Sequence, residues 1–347
     1  MSLLVRAPAA AQRQRAAAPV HLLVPEQPRH GVSILAGQLA RAAGARVQDA
    51  WSLPRPTSGE APRAHLHLSD RLVADDPREA VARVHRLARR WRLTVTLHDV
   101  PQPADGTSFV RRVETYREML RPVEGWVTNS RVERDRVVAT GLSPLAGAVV
   151  PLPLVPARVR PRAVARPVPA GSGVVAVLGW VYPGKGHEEA LRAAALLGDA
   201  PASRPTVVAL GAVAPGHERD AASLRDLAQD LGVRLRVTGW LSEASLRRWS
   251  RRVHVAVAGH RNVSASGSIN SWVVLGHRPL VRDGDYAREM DRLRPGTLAL
   301  LADLAPDALA AAVDARLRDQ RLTVPAAARR WRLEDCAAAY RSWWSCP

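Results

Sequence analysis

The sequence contains few of the residues that stabilise small extracellular domains or bind structural metals. Only two of its 347 residues are cysteines, Cys336 and Cys346, so disulfide bonds cannot form the framework of the fold. The two thiols could pair, but we expect them to stay reduced because the sequence shows no export signal. No spacing of cysteine and histidine resembles a zinc site, and we therefore expect no structural metal.

Long apolar runs are also absent. None approaches the roughly 20 residues that a membrane-spanning helix needs. The apolar opening, residues 1–5, is soon interrupted by Arg6 and Pro8, which is unlike a signal peptide. We therefore predict a cytoplasmic protein.

Lysine is almost absent, since Lys185 is the only one among 50 lysine and arginine residues. The formal net charge of +18 favours phosphate-rich partners such as nucleic acids, anionic membranes or nucleotide-linked substrates. The arginines are scattered, and aromatic residues, at 4% of the chain, do not alternate with them as in single-strand-binding proteins. We therefore expect no nucleic acid partner.

One predicted helix, residues 81–92, carries arginines opposite its apolar side. This surface could dock on anionic lipid, which would place the protein at the inner face of a membrane. The alternative is an ordinary solvated helix surface. The arginines are Arg83, Arg86, Arg89, Arg90 and Arg92.

After residues 1–18, which are predicted to be a disordered tail, short apolar runs alternate with segments of helical periodicity. This alternation is typical of βα units around a parallel sheet. Strands are predicted at 20–24, 64–68, 93–98, 125–128, 148–151, 173–178, 206–210, 234–238, 254–258, 279–282 and 298–301. Helices are predicted at 33–43, 77–91, 109–120, 131–140, 186–197, 218–231, 243–250, 266–275, 307–318 and 325–344.

Six prolines between residues 151 and 171 divide this pattern into two halves. Proline at this density fits neither a helix nor a central strand. We predict an α/β fold of two Rossmann-like, doubly wound domains, residues 19–155 and 173–324, that face each other across a cleft. A linker at 156–172 joins them, and a C-terminal helix in 325–347 packs back on the body. Ligands of such sheets bind at the carboxyl ends of the strands.

The strongest local signal is the segment Gly179–His187, which follows a predicted strand and opens a helix. Its glycines let Lys185 project an ammonium group beside the positive end of that helix, where an anion can bind. Because arginine stands at every other basic position of the chain, the one lysine is expected where a compact charge is required. The residue order is not that of a Walker A loop, and a lysine on a surface turn is the alternative.

The second signal is a run of small and polar residues, 263–270, between a strand and a helix. His260, Arg261 and Asn262 precede it and add polar groups at the same edge. Backbone N–H groups there can bind an anion such as a diphosphate. Simple capping of the helix by a serine is the alternative, and both can hold. The candidate donor and diphosphate ligands are Gly179, Lys185, Ser264, Ser266, Gly267 and Ser268, with Asn262 and Asn270 as further polar groups.

Two short segments of the first half carry the remaining polar candidates. Gly31 and Val32 precede the first predicted helix, and a glycine there lets a ligand approach the backbone closely. His98 ends a strand and could hydrogen-bond a sugar hydroxyl or a phosphate, with Asp99 fixing its tautomer. A structural role for His98 is the alternative.

The order and spacing of these segments resemble the retaining nucleotide-sugar glycosyltransferases of family 4, which have the GT-B fold. The resemblance extends over nearly the whole chain. It implies transfer of a hexosyl group from a nucleoside-diphosphate sugar to an acceptor hydroxyl, with retention and without a metal or other cofactor. The segments that carry it are His30–Ser33, Leu97–Asp99, Val127–Ser130, Gly179–His187, Val237–Leu241 and Gly276–Asp283.

The resemblance also implies roles for residues and partners. Lys185 and His98 would be catalytic, and Gly31, Val32, His98 and Asp99 would lie on the acceptor and sugar side. The acceptor would be lipid-linked or a glycan, as in bacterial cell-envelope or glycan biosynthesis.

The chain departs from that family at three positions. Trp180 stands where the family has an arginine, and Val263 and Ser271 stand near the positions of two glutamates. These departures favour an alternative function, that of a catalytically inactive glycosyltransferase-like protein that binds or scaffolds a partner.

Two further carboxylates lie late in the chain. Asp283-Gly284-Asp285 spells the D-x-D of metal-dependent glycosyltransferases, but its place after a late strand matches a GT-B loop, so no metal site is predicted. Asp283 remains a candidate cleft residue. Glu289 could also face the cleft, or it could form a salt bridge on its own helix.

Overall fold

The computed structural model describes residues 18–28, 30–52, 61–155, 168–263, 265–326 and 331–345. Nearly all of the predicted tail (1–18) and most of the predicted linker (156–172) lie outside these ranges, as do Ser264 and Cys346. The tail, the linker and the state of the two thiols therefore stay predictions.

Two parallel six-stranded sheets organise the chain, one in each half. The first has the order β2-β1-β3-β4-β5-β6 and the second the order β12-β11-β10-β7-β8-β9, so each sheet is wound in both directions from an inner strand. The predicted α/β class with two Rossmann-like halves is confirmed. The strands are β1 Val20–Leu23, β2 Val47–Asp49, β3 Arg63–Leu68, β4 Arg92–Leu97, β5 Gly125–Thr128, β6 Ala148–Val149, β7 Val174–Leu178, β8 Thr206–Leu210, β9 Leu235–Val237, β10 Val255–Ala258, β11 Leu280–Arg282 and β12 Ala299–Leu301.

Helices cover both faces of each sheet, which explains why the central strands read as unbroken apolar runs. Every residue of β10 is buried, and so are all but the first residue of β7 and of β8. The helices are α1 Gly31–Ala43, α2 Asp70–Val73, α3 Pro77–Ala88, α4 Phe109–Leu120, α5 Arg131–Ala139, α6 His187–Ala195, α7 Glu218–Asp230, α8 Glu243–Ser250, α9 Gly267–Val274, α10 Asp285–Leu293, α11 Pro306–Arg318 and α12 Leu333–Trp344.

The last helix returns to the first half of the molecule. Tyr340 and Trp344 of α12 are buried against α1 and against His21 and His65 of the first sheet. The prediction of a helix starting at Pro325 was wrong, because α12 begins at Leu333.

The entry to α12 is fixed by a side chain that no periodicity would predict. Trp331 has a φ of 61° and donates its indole N–H to the carbonyl of Pro151 at 2.7 Å. Residues 327–330 lie outside the described chain. Within the described ranges no helix is long and apolar enough to cross a membrane.

Candidate functional site

Lys185 lies where the second sheet changes its winding direction. β7 and β10 are neighbours there, and the loops that follow both strands meet at their carboxyl ends. The loop after β7 carries Lys185 to the start of α6, and the loop after β10 leads to the start of α9. This is the position where doubly wound sheets bind their ligands.

The Lys185 ammonium is buried, with only 7% of the residue exposed. Its Nζ lies 2.6 Å from Nε2 of His260 and donates to Oγ of Ser268 at 3.2 Å. It also lies 5.7 Å from the ring centroid of Tyr182. Among the described residues no carboxylate forms an ion pair with it, and burial lowers the pKa of Lys185 to about 8. A buried cation with only neutral partners favours an anionic ligand.

Glycines make room for this arrangement. Gly179 has a φ of 112°, and a Cβ on it would lie 3.3 Å from the Lys185 Nζ. Gly186 has a φ of 103°, and a Cβ there would meet the Cα of Gly259 at 2.7 Å. Only glycine allows this close approach of the two loops.

The start of α9 supplies neutral donors next to the ammonium. Ser266 caps the helix, since its Oγ accepts from the N–H of Ile269, and the same Oγ lies 3.1 Å from Oγ of Ser268. Gly267 is exposed, with open space where a side chain would point. The geometry is therefore compatible with both predictions for this segment: its backbone can face an anion, and a serine caps the helix. Asn262 is exposed at the same edge, and Ser264 lies outside the described residues.

Asn270 is engaged with the protein through its nitrogen. Its side-chain N–H₂ donates to the carbonyls of Leu152 and Pro153, at 3.2 and 3.3 Å, and the residue is buried. Its Oδ1 has no hydrogen-bond partner among the described residues, so Asn270 as a polar group of the site stays a prediction. It fastens α9 to the chain segment that leaves the first half.

Two predicted acidic candidates are likewise engaged with the protein. The Asp283 carboxylate pairs with the guanidinium of Arg288 through two contacts of 2.8 Å, which lowers the pKa of Asp283. Both carboxylate oxygens of Glu289 lie 3.0 Å from the backbone N–H of Arg131. Glu289 thus caps α5 in the other half of the molecule and, among the described residues, forms no salt bridge on its own helix. Its predicted place facing the cleft stays a prediction. Among the described residues no cluster of histidine, cysteine and carboxylate side chains could hold a metal ion.

His98 lies at the carboxyl end of β4, and both of its ring nitrogens contact protein atoms. The Asn129 side-chain N–H₂ donates to the carbonyl of Leu97 at 2.9 Å and faces Nδ1 of His98 at 3.3 Å. Because an amide N–H₂ only donates, the His98 proton is on Nε2, which faces Nδ1 of His67 at 3.0 Å. Burial lowers the pKa of His98 to about 3, so the ring is neutral.

Asp99 does not set the tautomer of His98, contrary to the prediction. Its carboxylate pairs with Arg112 at 3.0 Å, and its φ of 57° turns the backbone away from the strand. Tyr116 holds this turn by donating its hydroxyl to the carbonyls of His98 and Asp99. Burial first, and the Asp99 charge second, raise the pKa of Tyr182 in the second half of the chain.

Gly31 and Val32 form the first turn of α1. Gly31 is exposed and has open space around it. The N–H of Val32 donates to Nδ1 of His30 at 3.3 Å, so His30 caps the helix. His30 also contributes to the lowered pKa of His98, which shows that the two predicted segments of the first half lie near one another.

His260, predicted as a polar group at this edge of the sheet, lies beside Lys185. The contacts of three other residues were not predicted. His187 also lies beside Lys185, and His67 and Asn129 hold His98.

The predicted arginine surface over residues 81–92 is divided in the structure, because α3 ends at Ala88 and Arg92 belongs to β4. On α3, Arg83 contacts both Glu79 and Glu26, and Arg86 contacts Glu79. Arg92 contacts Glu124. These acidic partners reduce the positive charge that this surface offers to anionic lipid.

Comparisons with known proteins give structural neighbours but no sequence relatives. No protein-family model and no curated protein matches the chain. HepE of Anabaena, solved with UDP-glucose, superposes with a TM-score of 0.70 at 12% identity over 95% of this chain and 100% of that one. Sucrose-phosphate synthase of Thermosynechococcus elongatus gives 0.60 at 13% identity, over 94% of each chain. A UDP-forming α,α-trehalose-phosphate synthase of Burkholderia xenovorans gives 0.55 at 14%, over 91% and 79%. The neighbours are GT-B glycosyltransferases, and the chain shares their fold.

Proposed function

We propose that this protein is a glycosyltransferase that moves a sugar from a nucleoside-diphosphate sugar to an acceptor hydroxyl, with retention and without a metal. The observation that carries the proposal is the buried ammonium of Lys185 at the starts of α6 and α9. A diphosphate placed there would meet one positive charge and the positive ends of two helices. The neighbours solved with UDP or UDP-glucose support a nucleotide sugar as the donor.

The same arrangement suits the chemistry of sugar transfer. As the bond between the sugar and the diphosphate breaks, negative charge grows on the diphosphate. Lys185 and the N–H groups at the start of α9 are already oriented, so they can stabilise that charge without reorganising. Removing one such group typically raises a reaction barrier by about 2.7–4 kcal/mol.

The first half would hold the acceptor and the reacting end of the sugar. Gly31 leaves open space at the start of α1, and Asp99 presents a carboxylate to the cleft. Both ring nitrogens of His98 already contact protein atoms, those of His67 and Asn129. Its part in catalysis would be to hold the acceptor side of the site in shape, or to contact the sugar after one of these two partners moves. The acceptor would be lipid-linked or a glycan.

A second candidate function is binding without catalysis. It is favoured by Trp180, which is 47% exposed where the family has an arginine, and by the absence of acidic side chains at Val263 and Ser271. The inactive protein would bind a nucleotide at Lys185 but would not turn over the sugar.

The first experiment is a thermal-shift screen of the protein with UDP-, GDP-, ADP- and dTDP-sugars. A ligand at about 100 times its dissociation constant adds roughly 2.7 kcal/mol of stability, which such a screen resolves. We expect one donor to stabilise the wild type and to lose this effect in Lys185→Ala. Arg318→Ala, an exposed change at the last residue of α11, is the matched control and should keep the shift.

A second readout follows from the composition. Because Lys185 is the only lysine, a protein labelled with [13Cε]lysine gives a single side-chain NMR signal, and the active donor should move it. If no nucleotide sugar shifts either the melting temperature or this signal, the proposal fails. Binding without release of nucleoside diphosphate, tested with and without candidate acceptors, would favour the inactive alternative.

A further inference from the structure

His260 is held in one protonation state by its neighbour. An ammonium group only donates hydrogen bonds, so Nε2 of His260 accepts from Lys185 at 2.6 Å and its proton must be on Nδ1. The residue is 7% exposed, and no well-formed hydrogen bond reaches Nδ1 from the described residues, while the nearby backbone of Ala258 raises the pKa of His260. The structure therefore holds a neutral histidine in contact with a buried cation.

The groups that face His260 come from each element packed around it. Lys185 approaches from the loop before α6, and His187 from the first residue of α6. Ser268 of α9 places its Oγ 3.4 Å from Nε2. His187 is 3% exposed, and neither of its ring nitrogens has a hydrogen-bond partner in the described chain. Arg261, the next residue in the chain, pairs with Glu189 at 3.1 Å and lies 3.9 Å from a second carboxylate, that of Glu188.

We propose that His260 is a second cationic ligand for the diphosphate, and that it takes up a proton from solvent when the anion binds. This inference rests on the diphosphate site of the proposed function and goes beyond it, because it adds a ligand and a dependence on pH. Lys185 has three N–H donors and can turn towards the anion. Nε2 of His260, once protonated, becomes a donor to a phosphate oxygen.

The electrostatics support this coupling. Burial first, and the Lys185 charge second, lower the pKa of His260 to about 3 in this structure. A bound diphosphate would neutralise Lys185 and bring further negative charge, so both the anion and the loss of repulsion would raise the pKa of His260. At pH 6.5 Lys185 is protonated before any anion binds, since its pKa is about 8. A proton taken up at that pH therefore belongs to a histidine.

The test is calorimetric titration with UDP, and separately with inorganic pyrophosphate, at pH 6.5 in two buffers of different ionisation enthalpy. For each bound anion, we expect the wild type to take up more protons than His260→Gln, by at most one. The protons that the anion itself gains or loses are the same for both proteins and cancel in the difference between their proton uptakes. The affinity of the wild type should rise by as much as tenfold for each pH unit between 8 and 6, and that of His260→Gln should rise less.

Two controls keep the outcome unambiguous. His85→Gln, in the other half of the molecule, should take up protons like the wild type. In the wild type itself, the His260 ring proton, assigned by its absence in the variant, should show a raised pKa when UDP is bound.

The possible failures separate the two proposals. Binding of UDP with equal proton uptake in wild type and His260→Gln overturns the role of His260 and leaves the donor site intact. Failure of both UDP and pyrophosphate to bind the wild type overturns the donor site as well.

Discussion

Four buried histidines lie along the first sheet, where most proteins place apolar side chains. His21 is on β1, His65 and His67 are on β3, and His98 follows β4. Their rings contact one another with centroids 5.2–6.0 Å apart. Burial lowers the pKa of each, to about 4 for His21 and about 3 for His98. The folded protein therefore keeps them neutral at pH 7.

This cluster predicts a loss of stability in mild acid. Unfolded histidines bind protons below about pH 6.5, whereas folded His21 does not bind one until about pH 4. The contribution of the histidines to the free energy of unfolding should be constant above pH 7 and should fall as the pH decreases through this window. His21 alone accounts for about 2 kcal/mol by pH 5. Urea unfolding at pH 7.5, 6 and 5 measures the effect.

His21→Leu isolates one member of the cluster. Both ring nitrogens of His21 lack hydrogen-bond partners among the described residues, so leucine removes a titrating group without breaking a hydrogen bond. We expect the variant to lose stability less steeply between pH 6.5 and 5 than the wild type. An unchanged slope would show that His21 is not buried in its neutral form.

At the scale of single elements, α5 depends on a side chain from the other half of the molecule. Ser130 accepts from the N–H of Glu133, and Glu289 of α10 accepts from the N–H of Arg131. A carboxylate near the start of a helix also interacts favourably with the helix dipole. This contact joins the two halves directly.

Glu289→Gln should therefore destabilise the protein by about 0.5–2 kcal/mol, because the charge is lost and fewer acceptors remain for the helix start. Glu114→Gln, on the exposed surface of α4, makes the same chemical change and should have little effect. Urea unfolding at low salt gives both values. Equal stabilities of the two variants would mean that the contact contributes nothing.

An element could be predicted where its buried face leaves a periodic pattern of apolar residues in the sequence. Strands such as β8 and helices such as α8 match their predicted ranges, because apolar periodicity records which face is buried. The three-residue edge strand β2 and the one-turn helix α2 were missed, since neither is long enough to show a period.

The candidate site was predictable to the same extent. Lys185 stood out because it is the only lysine of the chain and because its segment follows a predicted strand. The contacts of Asn270 and Glu289 could not be predicted because their partners, Leu152 and Arg131, lie more than 100 residues away. Periodicity indicates that a polar side chain is buried, but the distant atom that satisfies it depends on the tertiary fold.

At the scale of the whole molecule, α12 belongs to the second half by sequence and to the first half by packing. Arg63 of β3 donates to the carbonyl of Trp344, and the Tyr340 hydroxyl lies 2.7 Å from Oγ1 of Thr96. The Trp344 ring is 5.1 Å from that of His21. The C-terminal helix thus completes the core of the first sheet, while the Lys185 site is built entirely from the second half.

This arrangement predicts that stability and diphosphate binding can be separated. Trp344→Ala should cost about 3–5 kcal/mol, because a buried tryptophan leaves a cavity beside the histidine cluster. Trp240→Ala makes the same change at a side chain that is 60% exposed and should cost far less. While Trp344→Ala remains folded, its affinity for UDP should stay within about twofold of the wild type, since ΔΔG values of distant sites are additive within about 0.3–0.5 kcal/mol. A large loss of UDP affinity would instead show that packing in the first half controls the Lys185 site, and that the two halves act as one unit.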